Sequence, residues 1–224
     1  RDVLGSRGLG DVYKRQTDLG ANFIGSYSFY LLGSPFFWLT IPFPSEAVPY
    51  LMGPLLILKF ACAATTGAHY LRRYVTRGDA AVLGGLLYAF SGFSVYNIFF
   101  NHFHEAIVFF PLMLWALDEY MATRRRGVFA VTVFLCCFVN YYFFVGQVTF
   151  TLIYFFLRLL TRSFRINLRD FLLLFCEAVV GVLMSCVLLV PTILAVVQNP
   201  RVDNPPNGWS AVSYTHLTLP TIRL

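Results

Sequence analysis

From about residue 50 onward the chain is a succession of long apolar runs broken by short polar stretches. A helix that crosses the hydrocarbon core of a bilayer needs about 20 mostly apolar residues. Runs of that order predict helices over about 50–71, 80–100, 105–121, 127–141, 143–161 and 170–197. The run over 127–141 is short and borrows length from Tyr141 and Tyr142. The run over 170–197 is long enough to tilt, with Pro191 as a kink near its far end. Residues 17–49 read differently. Pro35, Pro42, Pro44 and Pro49 each break a long helix, and the pieces between them are too short to span. This stretch predicts an outer interfacial loop with short re-entrant or membrane-surface helices. The expected fold is an all-α integral membrane protein. About six transmembrane helices fill 50–200, as part of a larger polytopic bundle, and an outer loop follows over 201–212.

The basic residues sharpen this picture. Arg72, Arg73, Arg77, Arg124, Arg125, Arg126, Arg158, Arg162, Arg165 and Arg169 fall in alternate connections. The intervening turns, near 101–105 and 140–142, carry no arginine, and the last loop has Arg201 alone. Arginine in short loops marks the cytoplasmic side of a membrane protein. The ten arginines are therefore expected in the cytoplasm. Residues 17–49, 101–105, 140–147 and 198–212 are expected on the outer face. Asp118 and Glu119 are expected to partner Arg124–Arg126, and Glu177 to snorkel or pair with an arginine.

Composition agrees. Hydrophobic residues make up 58% of the chain and charged residues 12%, against about 25% charged in soluble domains. The net charge of +6 would suggest nucleic acid in a soluble protein. Here the arginines sit between apolar runs, so no nucleic-acid partner is expected. Cys62, Cys136, Cys137, Cys176 and Cys186 all lie within apolar runs without metal-ligand spacing, and read as small core residues. No Walker loop, dinucleotide-binding glycine pattern, CxxC pair or GxSxG elbow is present. Residues 1–16 and 213–224 stand apart: Asp11–Gln16 and Ser213–Thr221 resemble translated sequencing-adapter tails. The remainder is expected to be a fragment.

A series of short motifs resembles the YfhO family of bacterial membrane proteins. They are Leu19-Gly-Ala-Asn-Phe-Ile-Gly25, Tyr30-Leu-Leu-Gly-Ser-Pro-Phe36, Leu58-Lys59, Tyr70-Leu-Arg-Arg73, Leu87-Tyr-Ala-Phe-Ser-Gly-Phe93, Pro111-Leu112 and Asn140-Tyr-Tyr-Phe143. Their order covers nearly all of 17–200. The resemblance implies a multi-pass protein of the bacterial inner membrane, similar to C-type glycosyltransferases. It implies transfer of a sugar from a polyprenyl-phosphate carrier to an extracytoplasmic cell-envelope polymer such as a teichoic acid. Membrane lipids, the polyprenyl-phosphate-linked sugar and the polymer acceptor are then the expected partners. Family members are several times longer, so a first transmembrane helix and later helices are expected beyond this sequence. The alternative is a non-enzymatic transporter or flippase of lipid-linked molecules.

Such a transfer needs a carboxylate base on the acceptor hydroxyl and cationic or metal groups at the departing phosphate. Asp18 and Glu105 are the candidate bases; a solvated loop acid and a polar hairpin turn are their plain alternatives. Glu46 follows Pro44-Ser45 and reads as a helix cap. His102 and His104 are candidate contacts for a divalent metal or the carrier phosphate. Lys59 lies about nine residues, roughly 14 Å, inside its helix. A lysine at that depth costs about 2.5–3.5 kcal/mol on insertion scales. It is expected to contact carrier phosphate, to pair with an acid, or to snorkel outward. Asn140, in an aromatic belt, is a candidate hydrogen-bond partner for a sugar.

Overall fold

The computed structural model describes residues 16–17, 21–22, 32–164 and 166–197. The chain divides into two compact units. One, Arg1–Gly25 with Val190–Leu224, contains a two-residue antiparallel pair, β1 (Gln16–Thr17) with β2 (Ala21–Asn22), in which Gln16 faces Asn22. The other, Ser26–Leu189, is the helical bundle.

The bundle opens on a four-residue helix, α1 (Pro35–Trp38), started by Ser34, whose Oγ accepts from the Phe37 amide at 2.9 Å. A 3-10 turn at Ser45–Ala47 leads into α2 (Val48–Leu71). Then follow α3 (Gly78–Ala89), α4 (Gly92–Tyr96), a 3-10 turn at Asn101–Phe103, α5 (His104–Thr123), α6 (Val128–Val139), α7 (Tyr141–Leu160) and α8 (Leu168–Val197). The proline-rich stretch thus breaks into short helical pieces, because each proline removes a backbone donor and crowds the preceding turn. The interior prolines Pro54, Pro111 and Pro191 are carried within long helices, where neighbouring groups re-satisfy the freed carbonyls.

Among the described residues, five helical stretches are long and apolar enough to cross a membrane: Ser45–Leu71, Gly78–Tyr96, Asn101–Thr123, Tyr141–Leu160 and Leu168–Leu194. Two differences from the sequence expectation stand out. The helix expected over 80–100 breaks at Phe90–Ser91 and ends at Tyr96, since Ser91 takes an extended backbone that starts α4. The helix expected over 127–141 is Val128–Val139. Its 12 residues rise about 18 Å, less than the roughly 30 Å of a bilayer core. It is nonetheless sheltered: Phe129, Ala130, Thr132, Val133, Cys136, Cys137 and Val139 are all buried. A short helix enclosed by protein has no lipid thickness to match.

Small residues set the closest helix contact. Ala63 and Gly67 of α2 face Ala81, Gly85 and Ala89 of α3, and all five are buried. A Cβ added at Gly85 would meet the Ala68 amide nitrogen at 2.7 Å and the Ala68 Cβ at 2.8 Å. Without a hydrophobic drive between helices in lipid, such seams gain their stability from close van der Waals packing. A second close approach lies at Gly181 of α8, where a Cβ would meet the Ala130 carbonyl oxygen of α6 at 2.6 Å. The core between α5, α6, α7 and α8 is built on Met113, Leu117, Tyr120, Phe129, Val133, Phe155 and Leu174. Ile57, Leu87, Val145, Leu160 and Val187 are exposed, as a lipid-facing perimeter requires.

The ends of the helices sort as the arginine pattern implies. Arg73 pairs with Glu119, Arg124 with Asp170 at 3.5 Å, and the Arg158 guanidinium lies 5.6 Å from the Tyr74 ring. These residues come from the ends of α2, α5 and α7 and the start of α8, so they form one arginine-rich end. At the opposite, arginine-poor end Phe143 packs on Phe93 and Phe103, with ring centroids 5.8 and 4.8 Å apart.

Candidate functional site

Lys59 and Glu105 meet in the bundle. Lys59 is the twelfth residue of α2 and Glu105 the second of α5. The Lys59 Nζ lies 2.6 Å from Glu105 Oε1, and the two side chains are 2% and 1% exposed. Lys59 also donates to the Asn101 side-chain oxygen at 2.6 Å and to its backbone carbonyl at 3.1 Å. The Asn101 amide nitrogen in turn donates to the Met52 carbonyl at 3.4 Å. Ser34 donates its hydroxyl to Glu105 Oε1. The Lys59 ammonium sits 5.6 Å from the Phe36 ring centroid. One ion pair therefore ties together the segment before α1, the middle of α2, the 3-10 turn and the start of α5. A charge buried in a bilayer-spanning bundle is stable only when so paired.

Of the sequence candidates, Lys59 and Glu105 share one cluster. Beside Lys59, Ala63, Ser94 and His104 the space is too small to hold a water. Glu105 Oε2 is buried without a hydrogen-bond partner among the described residues. As placed, Glu105 Oε1 is the counter-charge of Lys59 and accepts from Ser34. Lys59 does not snorkel; its ammonium is used within the protein.

His104 adjoins the cluster through Phe60, ring centroids 5.1 Å apart. Its Nε2 lies 3.0 Å from the Ser94 carbonyl and its Nδ1 3.3 Å from the Phe100 carbonyl. Both ring nitrogens face backbone carbonyls, and the one that carries the proton donates. His102 is buried and packs edge-on against Phe103 at 4.5 Å. Among the described residues no three His, Cys, Asp or Glu side chains converge in a set that would hold a metal ion. The Asn140 side-chain oxygen accepts from the Phe143 amide at 3.3 Å and caps α7, while its Nδ2 is buried without a partner among the described residues. Asp18 lies outside the described residues.

Ser34 and Asn101 carry the cluster as much as the charged pair does. Ser34 gives no signal in sequence beyond its place before Pro35, the pattern of a helix cap. At the arginine-rich end, Glu119 pairs with Arg73 and not with Arg124–Arg126. Asp118 is buried and is held by two phenols: the Tyr74 hydroxyl donates to Oδ2, and the Tyr154 hydroxyl to Oδ1 at 2.9 Å. Burial, and then the bond to Asp118, push the Tyr74 phenol well above its usual range, so it stays a neutral donor. Glu177 of α8 has both oxygens buried and no hydrogen-bond partner among the described residues.

The family description "Bacterial membrane protein YfhO" matches residues 9–219. The chain belongs to the YfhO family. No curated protein and no solved structure matches it. The YfhO match agrees with the membrane-spanning helices, and it extends over residues 9–16 and 213–219, parts of the two adapter-like stretches.

Proposed function

We propose that this YfhO chain is part of a glycosyltransferase of the bacterial inner membrane. It moves a sugar from a polyprenyl-phosphate carrier to an extracytoplasmic cell-envelope polymer. The observation that carries this reading is the buried Lys59–Glu105 pair with its Ser34 and Asn101 bonds. It fixes the first loop segment against the arginine-poor helix ends, on the side where carrier and acceptor meet. Positioning of that kind by rigid elements is what group transfer between two bound molecules needs. In this reading Glu105 and Lys59 position the loop. Asp18, which the sequence puts in the outer stretch 17–49, is the candidate base. His102 lies beside the site as a candidate contact for the carrier phosphate or a divalent metal, and Asn140 for the sugar.

One observation favours the rival, movement of a lipid-linked molecule without transfer. Glu177 is a membrane-embedded acid with no partner among the described residues, and such acids often mark transport or proton paths. A single assay separates the two. Membranes from cells expressing the complete gene are given labelled polyprenyl-phosphate sugar and a polymer acceptor. Label in the polymer, lost in Asp18→Asn while the protein still inserts, supports transfer. Label that crosses the bilayer but stays on the carrier supports the flippase and removes the enzyme reading.

A further inference from the structure

A cavity of about 300 Å³ opens at the arginine-rich end, lined by Arg73, Tyr74, Asp118, Met121, Arg158, Phe164 and their neighbours. Its size lies at the lower end of small-ligand sites, which run about 300–1,000 Å³. Arg73 is paired with Glu119, and Asp118 accepts from Tyr74 and Tyr154. Arg158 is the group left over. The ion pairs among the described residues are Lys59–Glu105, Arg73–Glu119, Arg77–Asp79 and Arg124–Asp170, and Arg158 is in none of them. Its guanidinium is boxed by the rings of Tyr74, Tyr154 and Phe164 at 5.6, 5.7 and 4.8 Å. Its Nε is buried without a partner among the described residues.

Aromatic rings hold a guanidinium in place through its faces and leave its in-plane donors for a planar or tetrahedral anion. The position fits as well. Arg158 is the third residue from the end of α7, so it stands within about one turn of the helix end. That is headgroup depth, and basic pockets between transmembrane helices on the cytoplasmic side take phosphate headgroups. The apolar wall, Met121 and Phe164, suits the start of the acyl chains of such a lipid.

We propose that this cavity binds a phosphate group, with Arg158 as its principal ligand and Tyr74, Tyr154 and Asp118 as the frame that orients Arg158. The phosphate comes from a lipid headgroup or from a soluble phosphate. The site is separate from the Lys59–Glu105 cluster and does not depend on glycosyl transfer.

The test uses the full-length protein, purified in detergent and stripped of lipid. Three probes are added: phosphatidylglycerol, the matching diacylglycerol, and inorganic phosphate. Binding is read by native mass spectrometry for the lipids and by thermal protection for all three. The expected result is binding of phosphatidylglycerol but not diacylglycerol, weakened about tenfold or more in Arg158→Gln, as expected for loss of a charged hydrogen bond. Ser163→Glu, at an exposed position on the cavity wall, places a carboxylate beside Arg158 and should weaken binding alike without touching the core. It serves where Arg158→Gln fails to fold. Protection by millimolar inorganic phosphate that displaces the lipid assigns the site to soluble phosphate; no displacement assigns it to the headgroup. Diacylglycerol bound as tightly as phosphatidylglycerol, or unchanged binding in the folded variants, overturns the proposal.

Discussion

Lys59 was legible as an unusual residue because a lysine amid apolar neighbours is expensive in a membrane. Its partner was not, since the sequence offers several acids and only the crossing of α2 and α5 selects Glu105. The geometry adds what the sequence leaves open: the acid of the polar turn is, in the bundle, the counter-charge of a buried lysine. This makes a residue-scale prediction. Lys59→Met leaves Glu105 buried without its cation, and removal of one partner of a buried pair costs about 3–5 kcal/mol. Replacing both, Lys59→Met with Glu105→Leu, should restore most of that loss. A double-mutant cycle on unfolding in mixed micelles reads the difference. Additive losses in the cycle would show that the two residues do not act as a pair.

At the scale of elements, apolar run length found the helices, because every backbone group in lipid must bond within its own helix. It did not find the break at Phe90–Ser91, where no proline or charge interrupts the run. Nor did it find that 12 residues suffice for α6 when its neighbours enclose it. The seam between α2 and α3 was only partly readable. Gly85 looks like any glycine in sequence, and its meaning comes from the Ala64–Ala68 backbone lying against it. Gly85→Leu should therefore separate the two helices. Overpacking commonly costs about 1–3 kcal/mol, and here the clash is with backbone, which cannot move aside as a side chain can. Gly92→Ala, where an added Cβ meets nothing within 4 Å, should be close to neutral. Melting temperatures in detergent compare the two; equal melting would mean that α2 and α3 do not meet at Gly85.

Across the whole molecule, the alternation of arginines anticipated which helix ends gather together, and the contacts of Arg73, Arg124 and Arg158 follow that sorting. The binding of Asp118 by Tyr74 and Tyr154 was not legible, because tyrosines near helix ends read first as an interface belt. The functional account rests on orientation: the Lys59–Glu105 cluster must serve the outer face, and the Arg158 cavity the cytoplasmic one. The most direct measurement is labelling of single cysteines by a membrane-impermeant maleimide in intact cells, in a background without the five native cysteines. Phe99→Cys lies in the arginine-poor turn at a 91% exposed position, and Thr76→Cys in the exposed loop between α2 and α3. The account predicts that Phe99→Cys is labelled in intact cells and Thr76→Cys only after the membrane is permeabilised. The reverse pattern would put the cluster in the cytoplasm and contradict the account.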